Sequence, residues 1–137
     1  MMPKRKIAEM PAKATNLKAV RAMPGEFVVD IGLIGRLKKK GVTSEEVFRI
    51  IAPRRTLDRR KAQGGRLSPA ESDRALRLQH ISELSERVFG NPEKAQRWLR
   101  KPCRALGGAV PIELLVSETG ARIVEEELHA IDYGMYV

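Results

Sequence analysis

The residues best suited to a defined chemical task lie between 53 and 62, where positive charge is concentrated. Five of the eight residues from Arg54 to Lys61 are arginine or lysine, and Asp58 is the one acid among them. Arginine presents a planar, permanently charged fork of N–H groups, which can clamp a phosphate or meet the O6 and N7 acceptors of guanine. The pattern therefore indicates a surface that binds a polyanion.

Two short helices are predicted to position these cations. Thr43-x-x-Glu46 has the pattern of a capping box, which predicts a helix over 44–51. Ala52-Pro53 interrupts it, and a second helix follows over 53–62. Two short helices joined by a brief turn form the outline of a helix-turn-helix, whose second helix lies in the major groove of DNA.

The second helix has a predicted inward anchor, Leu57, and charged residues around it. Arg55 and Arg59 share one helical face, and Arg54 and Lys61 share the adjacent one. The predicted DNA-binding residues are Arg54, Arg55, Thr56, Arg59, Arg60 and Lys61. Solvation of an exposed helix explains the same charges, and basic helices also bind RNA, acidic proteins and membranes, so these alternatives stay open at this point.

Charge is unevenly distributed along the chain. The formal net charge of +9 consists of +4 over residues 1–29, +7 over 30–67, +3 over 68–106 and −5 over 107–137. A cationic front suits phosphate because each neutralised phosphate releases condensed counterions. The cationic front and the anionic end together favour two surfaces for two different partners.

The chain after residue 25 is predicted to be helical almost throughout, with no alternation that would specify strands. Helix starts are predicted at Asn91-Pro92, at Pro111 and at Ser68-Pro69, where Glu71 at the third helical position completes the pattern of a capping box. Apolar residues at helical spacing continue to Ile131. The fold class is therefore all-α: an N-terminal helix-turn-helix bundle fused to a small C-terminal helical domain.

Three regions are predicted along the chain. Residues 1–25, rich in proline and cations, form a flexible basic leader. Residues 26–67 form the helix-turn-helix half and 68–137 the C-terminal half, with a boundary blurred by a helix at about 69–89.

Catalytic, metal and cofactor sites are not indicated. His80 and His129 are too few and too far apart in sequence for a metal site without a cysteine pair, and Cys103 has no partnered base nearby. We expect no enzyme activity, no cofactor and no metal. A single cysteine and the lack of a long apolar run predict a cytoplasmic protein with no membrane span.

Seven motifs follow one another in the order seen in a known family. They occupy residues 55–60, 67–74, 88–91, 95–99, 105–115, 117–120 and 128–136, beginning with Arg-Thr-Leu-x-Arg-Arg and Leu-Ser-Pro-Ala-Glu-Ser-Asp-Arg. In this order they resemble the Xre/MbcA/ParS antitoxins, the partners of RES-domain toxins. The resemblance covers about residues 30–137 and leaves only the leader outside.

The resemblance implies that the two halves of the chain bind two different partners. Such antitoxins are homodimers whose N-terminal halves bind operator double-stranded DNA and whose C-terminal halves cover an NAD-degrading toxin, with the last residues entering its active site. The toxin-binding residues expected here are Leu106, Gly107, Gly108, Tyr133, Gly134, Tyr136 and Val137. The alternative is a stand-alone helix-turn-helix transcriptional regulator whose C-terminal half serves only dimerisation.

Overall fold

A small hairpin precedes the helices. The computed structural model describes residues 20–23 and 26–134. Strand β1 (Val20–Met23) pairs antiparallel with β2 (Glu26–Val29), with Val20 opposite Val29. The expectation of no strand was wrong here, and part of the predicted leader is the strand β1. Residues 1–19 of the leader lie outside the described residues.

The hairpin is held by segments distant in sequence. The Val29 amide donates to Ser72 Oγ at 2.9 Å, and the Leu67 amide donates to the Val29 carbonyl at 3.0 Å. The Ile31 amide donates to the Gly65 carbonyl. Because these partners lie 34 to 43 positions further along the chain, the local sequence pattern does not predict strand β2.

Three short helices form the N-terminal bundle: α1 (Gly32–Lys39), α2 (Ser44–Ile50) and α3 (Arg54–Ala62). The predicted helix-turn-helix pair corresponds to α2 and α3. The capping box is confirmed, since the Glu46 amide donates to Thr43 Oγ1 at 3.1 Å and the Thr43 amide donates to Glu46 Oε1 at 2.9 Å.

The long helix α4 (Pro69–Phe89) runs through both halves of the molecule. It begins at the predicted capping box of Ser68 and Glu71 and ends at Gly90, which is left-handed with φ 66°. Its 21 residues pack against β2, against α1 and against the helices that follow. It is therefore the element on which the two halves are assembled.

The C-terminal half wraps back onto α4. It contains α5 (Pro92–Leu99), two 3₁₀ helices (Arg104–Leu106 and Pro111–Val116) and α6 (Glu118–Asp132). The start of α6 approaches the second 3₁₀ helix closely, because a Cβ atom added at Gly120 would lie 2.0 Å from the Leu114 carbonyl oxygen. Glycine is therefore required at this contact.

One apolar core joins the two halves, and the all-α fold class is confirmed. Its largest fully buried side chains come from every α-helix except α3, from the second 3₁₀ helix, from β2, and from the connecting segments. They include Leu33, Leu37, Ile50, Leu67, Leu78, Ile81, Leu99, Ile112, Leu115 and Leu128. Among the described residues, no helix is both long and apolar enough to cross a membrane.

Candidate functional site

The outer face of α3 carries exposed cations. Leu57, the predicted anchor, is 7% exposed and fixes which side of the helix faces solvent. We call Arg54, Arg55 and Arg59 the outer arginines, and all three are exposed. The structure brings them together with exposed Lys61 and half-buried Thr56, as the helical spacing predicted.

The outer arginines have little to neutralise them. Arg54 Nε lies 4.0 Å from an Asp58 carboxylate oxygen, with 79% and 74% of the two side chains exposed. A pair so exposed and so long contributes little to stability. Arg55 and Arg59 have no ion pair within the described residues, so their guanidinium groups are available to an outside anion.

Arg60 is turned inward, unlike its neighbours. Its Nε and Nη2 donate to the two carboxylate oxygens of Glu71, each at 2.9 Å, and its side chain is 25% exposed. The hydrogen bond from Arg60 lowers the pKa of Glu71, which burial by itself would raise. The guanidinium group of Arg60, which the sequence analysis assigned to DNA binding, is thus paired with Glu71 within the protein.

Two more arginines form hydrogen bonds that connect the helices of the bundle. The sequence analysis did not predict these contacts. Arg74 of α4 donates from Nε to the carbonyl of Ile51, the residue that ends α2, at 2.9 Å. Arg100, which follows α5, donates from Nε and Nη2 to Glu46 at 2.9 and 2.7 Å. Arg60, Arg74 and Arg100 are called the inner arginines below.

Arg100 is the most heavily used of the three. Besides Glu46 it donates to the carbonyl of Gly41 at 2.9 Å and to the carbonyl and side-chain oxygens of Gln96. Burial is the largest influence on Glu46 and raises its pKa, but the bonds from Arg100 and Thr43 outweigh it, so the pKa is lowered. This arginine joins the C-terminal half to the turn between α1 and α2.

A groove of about 600 Å³ lies between α1, α2 and α3. Its floor is apolar, and the charged residues on its rim are Lys38 from α1 and Arg54, Asp58 and Lys61 from α3. Ser44, at the start of α2, lines the same groove. The groove therefore connects the outer face of α3 to the cationic end of α1.

The predicted partner-binding turn at 106–108 is a closed loop. The Cys103 amide donates to the Ala109 carbonyl and the Gly108 amide donates to the Cys103 carbonyl, both at 2.9 Å. Gly107 and Gly108 have φ of 69° and 87°, values that L side chains rarely adopt. Leu106 is half-buried, and its 3₁₀ helix contacts α6.

The end of α6 presents an exposed aromatic ring. Tyr133 is 76% exposed and stacks on His129, with ring centroids 6.3 Å apart. His129 and His80 both approach one carboxylate oxygen of Glu125, at 3.8 and 2.9 Å. Gly134 is exposed. Tyr136 and Val137, also predicted to bind the partner, lie outside the described residues.

The two histidines are far apart in sequence but meet in space. Glu125 bridges them, and the hydrogen bond from His80 is the main cause of its lowered pKa. Nevertheless, within the described part of the chain no three histidine, cysteine or acidic side chains are arranged to hold a metal ion. The hydrogen bond between His80 and Glu125 links α4 to α6.

Comparison with known proteins gives two domain matches and several relatives. Residues 31–80 match the antitoxin Xre-like helix-turn-helix domain, and residues 85–134 match the antitoxin Xre/MbcA/ParS C-terminal toxin-binding domain. The Prs ADP-ribosylating antitoxin of Sphingobium is 31% identical over 149 aligned positions, covering 90% of this chain and 91% of that protein. The chain belongs to the Xre/MbcA/ParS family of antitoxins.

Two further relatives of the family are named antitoxin Xre. The protein from Pseudomonas putida is 38% identical over 99 residues, covering 72% of this chain, and that from Yersinia enterocolitica is 34% identical over 85 residues, covering 61%. The matched regions span 62% and 57% of those proteins, so the chain accounts for about three fifths of their length. The two domain matches meet within α4, since one ends at residue 80 and the next begins at 85.

Proposed function

We propose that the chain is the antitoxin of a type II toxin–antitoxin system. Its C-terminal half binds a RES-domain toxin, and its helix-turn-helix binds operator DNA as a homodimer and represses transcription. The observation that carries this proposal is the match of residues 85–134 to a toxin-binding domain in a chain that also matches a helix-turn-helix domain. In this scheme the chain itself performs no catalysis.

The outer face of α3 supports the DNA-binding part. Arg55 and Arg59 are exposed, share a helical face and have no acid paired with them in the described residues. A two-fold dimer would present two such faces to half-sites about one DNA turn apart. We do not include Arg60 among these contacts, because its Nε and Nη2 already donate to the carboxylate of Glu71.

The C-terminal surface supports the toxin-binding part. Tyr133 offers a large exposed ring with a polar tip, the kind of side chain that often anchors interfaces. Residues 107–137 carry a net charge of −5, which complements a toxin cleft that must hold the pyrophosphate of NAD. We propose that the segment after Asp132 enters that cleft.

Deletion of residues Tyr133–Val137 tests the mechanism of inhibition. The truncated and full-length chains are each co-purified with a RES-domain protein, and loss of NAD is measured with substrate in excess. We expect both complexes to assemble and only the truncated one to consume NAD. Since the Sphingobium relative is named a Prs ADP-ribosylating antitoxin, transfer of ADP-ribose to protein is measured in parallel.

Two results would contradict this proposal at different levels. Full inhibition by a stable truncated complex would show that the helical body, and not the tail, blocks the toxin. If the full-length chain neither binds nor inhibits any such protein but still binds DNA, the chain is a stand-alone transcriptional regulator instead.

The double variant Arg55→Ala with Arg59→Ala tests the DNA-binding surface. Gel-shift affinity for the promoter region of its own gene should fall, and each lost phosphate contact should reduce the log–log salt slope by about 0.9. Toxin inhibition should be unchanged because the substitutions lie on α3. Unaltered affinity and slope would remove these residues from the interface.

A further inference from the structure

A second group of cations lies on α5 and on the residue after its C-terminal cap. Lys94 and Arg97 are three residues apart and share one side of α5, and Lys101 follows the C-cap residue Arg100. Lys94, Arg97 and Lys101 are exposed, and none of the three has an ion pair within the described residues. We call them the α5 cations.

The inner arginine Arg100 places this group beside the DNA-binding bundle. Its Nη2 donates to the Gly41 carbonyl, in the turn that leads into α2, and its Nε donates to Glu46 in the first turn of α2. Gln96 packs against Gly41 from the same side. The helix that carries the α5 cations is therefore held against the α1–α2 turn.

Positive charge continues from this turn to α3. Lys38 and Lys39, at the end of α1, are exposed and directly precede the turn, and Lys38 lines the same groove as Arg54 and Lys61. Lys40 is partly neutralised by Glu86 at 3.8 Å. Glu45, Asp58 and Glu93 are exposed acids on these helices, and they are fewer than the exposed cations around them.

We propose that the α5 cations bind DNA backbone phosphates that flank the site read by α3. The proposal rests on the proposed DNA-binding function and extends its footprint into the C-terminal half. These cations have no ion pair within the described residues, and Arg100 ties their helix to the first turn of α2, so they fit phosphates beside the site read by α3.

Charge removal at single positions tests the proposal. Arg97→Gln, Lys101→Gln and their double variant are compared with the full-length chain on a duplex of about 20 base pairs from its own promoter and on one of about 40. On the longer duplex each substitution should flatten the salt slope by about 0.9 and weaken binding several-fold at 0.1 M salt. On the shorter duplex the double variant should differ less from the unmodified chain.

Arg122→Gln is the matched control. It removes one positive charge from an exposed side chain of α6, which is paired only loosely with Glu118 at 3.7 Å. If the α5 variants behave like this control on both duplexes, the proposal is wrong. If they weaken toxin binding and leave DNA binding intact, these cations serve the toxin and the proposal is also wrong. Absence of DNA binding by the unmodified chain would instead overturn the proposed function itself.

Discussion

The outer arginines and the inner arginines are chemically the same residue in two different surroundings. Arg55 and Arg59 are exposed to solvent on α3 and form no ion pair within the described residues. Arg60 and Arg100 each hold both oxygens of a buried glutamate. A cluster of arginines in the sequence therefore shows where positive charge lies. Which of these arginines remain free to bind a partner depends on the acids that folding brings close to them.

The two glutamates in these pairs have double roles. Glu46 and Glu71 each complete the capping box of their own helix and also receive an arginine from another element. The capping position explains why each carboxylate sits at the start of a helix, where the helix dipole favours negative charge. The inner arginines therefore bind to anions that local structure has already placed.

The largest effect should come from Arg100→Ala. The substitution leaves the carboxylate of Glu46, whose residue is 6% exposed, without its main counter-charge and also removes the bond to Gly41. We expect the free energy of unfolding to fall by about 3 kcal/mol. Chemical denaturation measures this change. Arg97→Ala, at an exposed position on α5, is the control and should leave stability nearly unchanged.

Glu71→Ala should have the next largest effect. It removes the partner of Arg60 and one half of the α4 capping box. The expected loss is about 2 kcal/mol of unfolding free energy. Asp73→Ala removes an exposed acid two residues further along α4 and serves as the comparison. Equal stability of the two variants would mean that the Arg60–Glu71 pair stabilises nothing.

Acid should weaken the inner pairs specifically. The pKa values of Glu46 and Glu71 are lowered in the folded chain, so their contribution to stability is complete above the unfolded-state pKa and is lost as pH falls through the folded-state values. We expect unfolding free energy to decrease below about pH 4.5. Glu71→Gln should flatten this decrease, whereas Glu126→Gln, at an exposed position on α6, should not. An unchanged slope in Glu71→Gln would contradict the assignment.

The smallest effect on stability should come from Arg59→Ala. Its side chain is exposed and makes no ion pair with the described residues, so unfolding free energy should change by no more than about 0.5 kcal/mol. Binding to promoter DNA should nevertheless weaken. A large loss of stability would place Arg59 with the inner arginines and remove the contrast between the two groups.

Local patterns predicted much of this fold. Both capping boxes, the proline-led helix starts and the inward position of Leu57 depend on residues within one helical turn, and all are confirmed. Helix α1 was not predicted, because Ile31 makes no side-chain cap and glycines interrupt its sequence. The hairpin was missed because its partners lie at 65–72.

The roles of individual arginines were harder to predict. Arg59 and Arg60 are adjacent in sequence, and only Arg60 finds a carboxylate, eleven residues away. Arg60 lies three residues after the buried Leu57, and residues i and i+3 share a helix face. This spacing was the local indication that Arg60 points inward. The contact between Arg100 and Glu46 spans 54 residues and depends on how the C-terminal half folds back. Helical spacing does not predict a contact over such a separation in sequence.

The position of Arg100 has a consequence for recombination between relatives. A chimaera joined between residues 80 and 85, where the two domain matches meet in α4, would inherit the contacts of Arg60 and Arg74 entirely from its N-terminal parent. Among the inner arginines, only Arg100 would meet acceptors from the other parent. Besides the His80–Glu125 and Lys40–Glu86 pairs, which also cross this junction, exchange of toxin specificity between family members therefore requires a donor C-terminal half with an arginine at this position and a recipient with a glutamate at position 46.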